Sequence, residues 1–434
     1  MTSYSRRHFL RASAVTAAGV GVLAHGSSLL THAASARSGK AVTLEYVNRW
    51  GKGNDTHYAG MNYLYTTFKQ QHPEVSFKQI VLPPGPDAQK DLADCSAGAC
   101  PDLMNDMTGT FWSDGYLLDL MPYLKADPSW KASFDQPALA FSRTAGHQWG
   151  VCVELSPMCA VWNTKVLDQA GVSRLPTTWN ELLTTCDKIK RSGKQPMSWA
   201  GLYAGGHMFH NLVVGQQGGY AALAANKYDA PQILEALKRL KVFVDNKWVA
   251  SNEIEQSVSA GFASFQAGRV GFYMNGMWTL KNDITAAGLP ADLKNHVAFS
   301  ALPALSGGTL IENKVATVIG LSAGLHQSPD KLNAALAFLK HFTSRPVAEK
   351  WVPLTWSPMG VTVNTKDITG LPALPKQWLS ARDHATATFS LPSTRGMQEQ
   401  QWSDYMTALQ TLLTGKSAEA AQAAYVQYMA KYKA

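Results

Sequence analysis

From Ala41 onward, short apolar runs alternate with helical stripes, and this alternation narrows the possible folds more than any other feature. "AVTLEYVN" (Ala41–Asn48) reads as a strand, followed by the loop "RWGKGND" and a helix to about Gln71 with Met61, Leu64, Tyr65 and Phe68 on one face. "EVSFKQIVL" is a second strand, and "PDLMND" (Pro101–Asp106) a short buried one that runs into a polar loop. "WGVCVELSPMCAVWNTK" suggests two strands joined by a short connection. Thr178 with Glu181 spells a capping box, Trp179, Leu182, Leu183 and Cys186 form the inner stripe, and Gly193 stops that helix. A helix follows over about Pro231–Asn246, a strand over Val270–Met274 and another in "VATVIGLSAGL". "SPDKLNAALAFLKHFTS" reads as a helix capped by Ser328, and two helices, about Met397–Leu413 and from Ala418 to about Lys431, close the chain. The pattern predicts an α/β fold with largely parallel sheets. Ligands of such sheets bind beyond the carboxyl ends of strands, which singles out the loops Asn48–Asp55, Asn105–Thr110 and Asn275–Trp278.

The 434 residues, 46% of them hydrophobic, supply core for about two domains. Charged residues are only 16%, which excludes long disordered or coiled-coil segments. Ser5-Arg6-Arg7-His8-Phe9-Leu10-Arg11 matches the twin-arginine export pattern, a mildly apolar segment follows to Leu30, and Ala34-Ser35-Ala36 offers a cleavage site. Residues 1–36 therefore read as an export signal, and the product is expected in the periplasm or outside the cell. Their removal takes away Arg6, Arg7 and Arg11 and lowers the net charge from +8 to about +5. The surplus is scattered and carries no nucleic-acid-reading motif, so a nucleic-acid partner is not expected.

Five cysteines allow at most two disulfides. Cys95 and Cys100 flank "SAGA" and are expected to bridge; Cys152 and Cys159 either bridge or lie buried; Cys186 belongs to a helical core stripe. None has the spacing of a zinc site. His207 and His210 stand at i, i+3, a ligand spacing, but no acid or cysteine is near them in sequence, so no metal and no other cofactor is expected.

Several ordered segments resemble the extracellular solute-binding proteins of bacterial ABC importers, in the cluster that takes maltose, other sugars and glycerol phosphate. "PDLMND…GYLLDLMPYL" resembles that family's Pro-Asp strand and following helix end. "WGVCVELSPMCAVWNTKVLDQAGVSRLPTTWNEL" is similar to its hinge strand, Tyr-Asn-Lys element and Pro-x-Thr-Trp helix, with Trp162-Asn163-Thr164-Lys165 departing slightly. "FQAGRVGFYMNGMW" resembles its Gly-x-Trp segment, with Gly271 and Phe272 in place of the usual pair. "WSPMGVTV" and "LLTGKSAEAAQAA" extend the likeness to the C-terminus. The resemblance implies two lobes, 37–153 with 323–368 and 157–318 with 371–434, joined by crossings near Glu154–Pro157, Val318–Ser322 and Lys366–Leu371. It implies a carbohydrate clamped between them, a membrane permease as partner, a monomer, and no catalysis.

Sugars are recognised by flat aromatic faces and fixed polar groups. By segment, Trp278 and Trp402 fall where the family places stacking aromatics. Trp278 follows Asn275-Gly276 at a strand end and is expected in the site; Trp402 shares a helical stripe with Tyr405, Met406 and Leu409, so core packing is an equal reading. Asn48, Arg49, Trp50 and Asp106 end strands of the first lobe, as ligand contacts or as loop and cap residues. "WAGLYAGGHMFHNL" is expected to give a ligand loop in which Gly205 and Gly206 permit close approach and His207 and Asn211 make contact, and Trp356 follows in another such loop. Arg49 and Arg395 would serve a phosphate ester instead. A rival from another class is a serine hydrolase: Gly320-Leu321-Ser322-Ala323-Gly324 matches the nucleophile-elbow pattern, with Asp383 and His384 as candidate partners.

Overall fold

The computed structural model describes residues 40–430 apart from 53–56, 84, 106–108, 201, 251, 253–257, 286–289, 291, 365–366 and 392–398, and without the side chains of 258–259 and 399–403. The main strands are β1 (Val42–Asn48), β2 (Val75–Val81), β3 (Leu103–Asn105), β4 (Val151–Asn163), β5 (Gln195–Ser198), β6 (Val270–Asn275), β7 (Val297–Ser300) and β8 (Thr309–Leu321). The larger helices are α1 (Tyr58–Gln71), α2 (Pro86–Ser96), α3 (Trp179–Arg191), α4 (Tyr203–Val214), α5 (Pro231–Asp245), α6 (Val258–Gln266), α7 (Pro329–Phe342), α8 (Arg345–Thr355), α9 (Ala373–Asp383), α10 (Glu399–Leu413) and α11 (Ala418–Ala430).

The sheet is mixed, not largely parallel. Its order is β2-β1-β3-β8-β4-β6-β5. Parallel pairs lie at both ends (β1 with β2 and β3, β5 with β6), whereas β8 pairs antiparallel with β3 and β4, and β4 with β6. Helical crossovers build the parallel ends, and two long strands that run in opposite directions tie those ends together.

Those two strands serve two cores. Val151 and Val153 of β4 and Ile319 and Leu321 of β8 pack with β1 and helices α1, α7 and α8. Met158, Ala160 and Trp162, farther along β4, pack with α3, α4, α5, α10 and α11. A third cluster, on Cys159 and Val161, faces α9 and Phe265. Sequence reading breaks β4 into two strands joined by a short connection. The structure runs it unbroken for 13 residues. Pro157 sits at the end of the β4–β8 pairing, opposite Asn313, just before β4 takes β6 and β7 as partners. Just before it, the β4–β8 register shifts between Val315 and Thr317 and again between Thr317 and Val318. Such bulges bend and twist a strand pair locally.

The helix signals hold in physical detail. Thr178 Oγ1 accepts from the Glu181 N–H and the Glu181 carboxylate accepts from the Thr178 N–H, completing the box. Ser328 stands at the N-cap of α7 without a side-chain capping bond. Cys95, in the last turn of α2, is disulfide-bonded to Cys100, while Cys152, Cys159 and Cys186 are buried thiols. Among the described residues no helix is long and apolar enough to cross a membrane.

Candidate functional site

Where β4 leaves the first core, a buried acid ties together segments distant in sequence. Glu154 Oε1 lies 2.8 Å from His57 Nε2, and its Oε2 accepts from Thr317 Oγ1 of β8 at 2.9 Å. Ser357 Oγ is 3.3 Å from the same imidazole nitrogen. Burial raises the cost of the Glu154 charge, but His57 beside it outweighs this and holds the carboxyl below its ordinary value. His57, just ahead of α1, stacks on Trp50 at 5.1 Å. The bulged stretch of β4–β8 is thus pinned to α1 and to the loop after α8 by one charged hydrogen-bond cluster.

Next along β4, Ser156 Oγ accepts from the Met277 N–H at 2.7 Å and fixes the turn after β6. That turn explains "NGMW". The Trp278 ring folds back over Gly276 so closely that a Cβ there would lie 2.3 Å from the ring and 2.5 Å from Ser156 Oγ. Glycine is required for close approach. The indole is half-buried, edge-on to Tyr203 with centroids 6.3 Å apart. Lys314 Nζ lies 5.1 Å from the Trp278 ring centre and 5.4 Å from that of Tyr203, and donates to Tyr203 Oη at 3.2 Å. Tyr203, Trp278 and Lys314 form a half-buried aromatic and cationic cluster in which an apolar face and polar donors stand side by side.

Below it, α4 packs on β8. His207 Nδ1 is 2.7 Å and His210 Nδ1 3.1 Å from the same oxygen of Glu312, Oε2, and His210 Nε2 is 2.7 Å from Tyr405 Oη. Burial opposes the charge on Glu312, yet the two imidazoles outweigh it and hold the carboxyl well below its ordinary range. Burial in turn holds the His207 imidazole below its usual value. Glu312 and Lys314, two residues apart on a strand, face the same side.

The residues singled out from sequence separate into groups. Trp278 and His207 come together through Tyr203, whose ring lies 4.6 Å from the His207 ring. The expected loop around them is instead helix α4, and Gly205 is there because a Cβ would lie 2.8 Å from the Trp199 indole. Asn211 is buried on α4, its amide donating to His207 O. Asn48 folds the turn after β1, its Oδ1 accepting from the Trp50 N–H and its amide donating to Trp50 O. Arg49 puts Nε and Nη2 on Asp87 Oδ2 at 2.8 and 2.7 Å in a buried ion pair. Trp50 is core, covered by His57, Phe342 and Trp351. Trp356 is half-buried in a left-handed conformation at the end of α8, with Lys281 Nζ 5.2 Å from its ring centre. Asp106 and Arg395 lie outside the described residues, as does the side chain of Trp402 on α10. Ser322 is an N-cap whose Oγ accepts from the Gly324 N–H, while His384 bonds Ser380 O and Asp383 pairs with Arg382 within α9 and its end. The strand leads into a 3-10 turn, not the sharp strand-to-helix elbow that exposes a nucleophile.

Sequence reasoning missed His57, Glu154, Tyr203, Glu312 and Lys314. A signal was present for three of them: Glu154 is the one charge in the run Val151–Asn163, and Glu312 and Lys314 are the two in the run Thr309–Leu321.

Residues 52–349 match the family described as Bacterial extracellular solute-binding protein. A binding protein of Brucella abortus (strain 2308) is 28% identical over 182 residues, 40% of this chain and 41% of its own length. The chain thus spans about two-fifths of the length of the curated relatives it matches. Among solved structures, a chitin oligosaccharide binding protein superposes with a TM-score of 0.73 at 21% identity, covering 90% of this chain and 100% of the other. A Streptococcus pneumoniae solute-binding protein in complex with the blood group A-trisaccharide gives 0.71 at 17%, with the same coverage. The fold is the two-lobe α/β architecture of these binding proteins.

Proposed function

The chain belongs to the bacterial extracellular solute-binding protein family, and from that premise we propose that it captures a carbohydrate between two lobes and hands it to an ABC-type membrane permease. The observation that carries this reading is the half-buried Tyr203–Trp278–Lys314 cluster beside the point where β4 changes partner. An indole supplies the flat apolar face that sugar C–H groups stack on, and Lys314 and Tyr203 supply hydroxyl partners at its edge. Two proteins of similar fold, the chitin oligosaccharide binding protein and the one in complex with the blood group A-trisaccharide, support the same ligand class.

The lobes are 37–153 with 323–368 and 157–318 with 371–434, bending about the bulged β4–β8 pair and the Lys366–Leu371 crossing. Closure is a pre-existing equilibrium that a ligand biases by contacts made in the closed state. The twin-arginine segment directs export, residues 1–36 are removed, and the mature chain works outside the cytoplasm as a monomer. Arg49 does not favour a phosphate ester, since Asp87 holds its guanidinium.

The test is a thermal-shift screen against chitin, malto- and xylo-oligosaccharides, with glycerol phosphates as the contrasting set. A ligand that binds only the folded chain raises the Tm by mass action, about 2.7 kcal/mol of stabilisation at a hundredfold excess over Kd. One sugar class should shift the wild type, and Trp278→Ala should lose that shift while folding normally. A shift with glycerol phosphates alone, or a sugar shift untouched by Trp278→Ala, would overturn the proposed site.

A further inference from the structure

Glu312, His207 and His210 do more than fill a core, since three ligand-type atoms converge on one point from two elements. One ring nitrogen from each histidine and a carboxylate oxygen all lie within 4.8 Å of one another. Helix α4 supplies the imidazoles at i, i+3, so both project from one face, and β8 brings the acid from a hundred residues away. Both imidazoles address Oε2 instead of taking one carboxylate oxygen each. Those contacts are hydrogen bonds as they stand, and the same three side chains are close enough together to ligate one cation.

The surroundings fit such a use. All three side chains are 2% exposed or less, so water does not compete for them. His210 Nε2 is held 2.7 Å from Tyr405 Oη, an outer partner that fixes which ring nitrogen faces the carboxylate. Two imidazoles and one carboxylate are the donor set of first-row divalent metals, and of Zn2+ in particular.

We propose that His207, His210 and Glu312 form a buried divalent transition-metal site that locks α4 onto β8 beneath Tyr203 and Trp278. The proposal stands apart from the carbohydrate reading, because the site lies behind the aromatic cluster and its test involves no sugar.

Because the three side chains are closed to solvent, the EDTA-stripped protein is refolded from urea with Zn2+, desalted, and assayed for zinc by mass spectrometry. Wild type should retain one equivalent per chain, and Glu312→Gln less than about one-tenth of that. Tyr405→Phe, which keeps all three ligands, should weaken zinc binding roughly 10- to 100-fold. Refolding wild type with Co2+ requires no variant and should give the visible bands of a low-symmetry nitrogen–oxygen site. A wild type without zinc or cobalt bands overturns the proposal, and so does a Glu312→Gln protein that folds and keeps its zinc.

Discussion

At the scale of single residues, burial decides more than residue type. Arg49 has the look of a ligand residue, a guanidinium at a strand end, but α2 brings Asp87 under it and the pair is buried. Arg49→Ala should therefore act on stability, leaving the Asp87 carboxylate buried and unpaired at a cost of about 3–5 kcal/mol in urea unfolding. One turn along α2, Asp91 is buried, and its carboxyl is pushed up to about 8 by burial and by the neighbouring Asp87. Between an ordinary carboxyl value near 4 and about 8, the folded chain holds a proton on Asp91 that the unfolded chain has lost. Stability from this group is thus complete at low pH and is lost as pH rises through about 8. Asp91→Asn should remove that loss, raising stability at pH 8 by on the order of a few kcal/mol and leaving it nearly unchanged at pH 4. Melting curves across that range check it; an equal shift at both ends would refute it.

At the scale of elements, most helices and strands were legible because their codes are local. The Thr178–Glu181 box, Gly193 after α3 and the apolar stripe of α1 each set a boundary from neighbours within four residues. Elements whose form depends on distant partners were not legible. Strand β4 runs through Pro157, just before it changes partner, and α4 forms where the resemblance implies a ligand loop, with Gly205 admitting the Trp199 ring. Gly276 is the clearest case of a local residue with a tertiary reason. Gly276→Ala must push the Trp278 indole off its backbone, and carbohydrate affinity should fall at least about tenfold, with a stability cost of about 1–3 kcal/mol. Isothermal titration against the sugar found by the thermal screen measures the first, and urea unfolding the second.

At the scale of the molecule, β4 and β8 are each part of two cores, and their pairing is bulged between those cores where Glu154 binds Thr317 and His57. The proposed closure about this pair brings the lobes together, so saturating ligand should lower the radius of gyration seen by small-angle scattering. An unchanged radius in the presence of a bound sugar would refute closure about these strands. The sequence by itself determined the α/β class, the ordered segments by which the family is known, the Cys95–Cys100 loop and Trp278 at its strand end, since each is written in neighbouring residues. Only the tertiary structure decided which polar groups meet. It buried Arg49 against Asp87 and Trp50 in the first core, set Lys314 over Trp278 and Tyr203, and brought Glu312 to His207 and His210. Those meetings join residues about forty to more than a hundred positions apart, and strand pairing and helix packing, not local spacing, fix such distances.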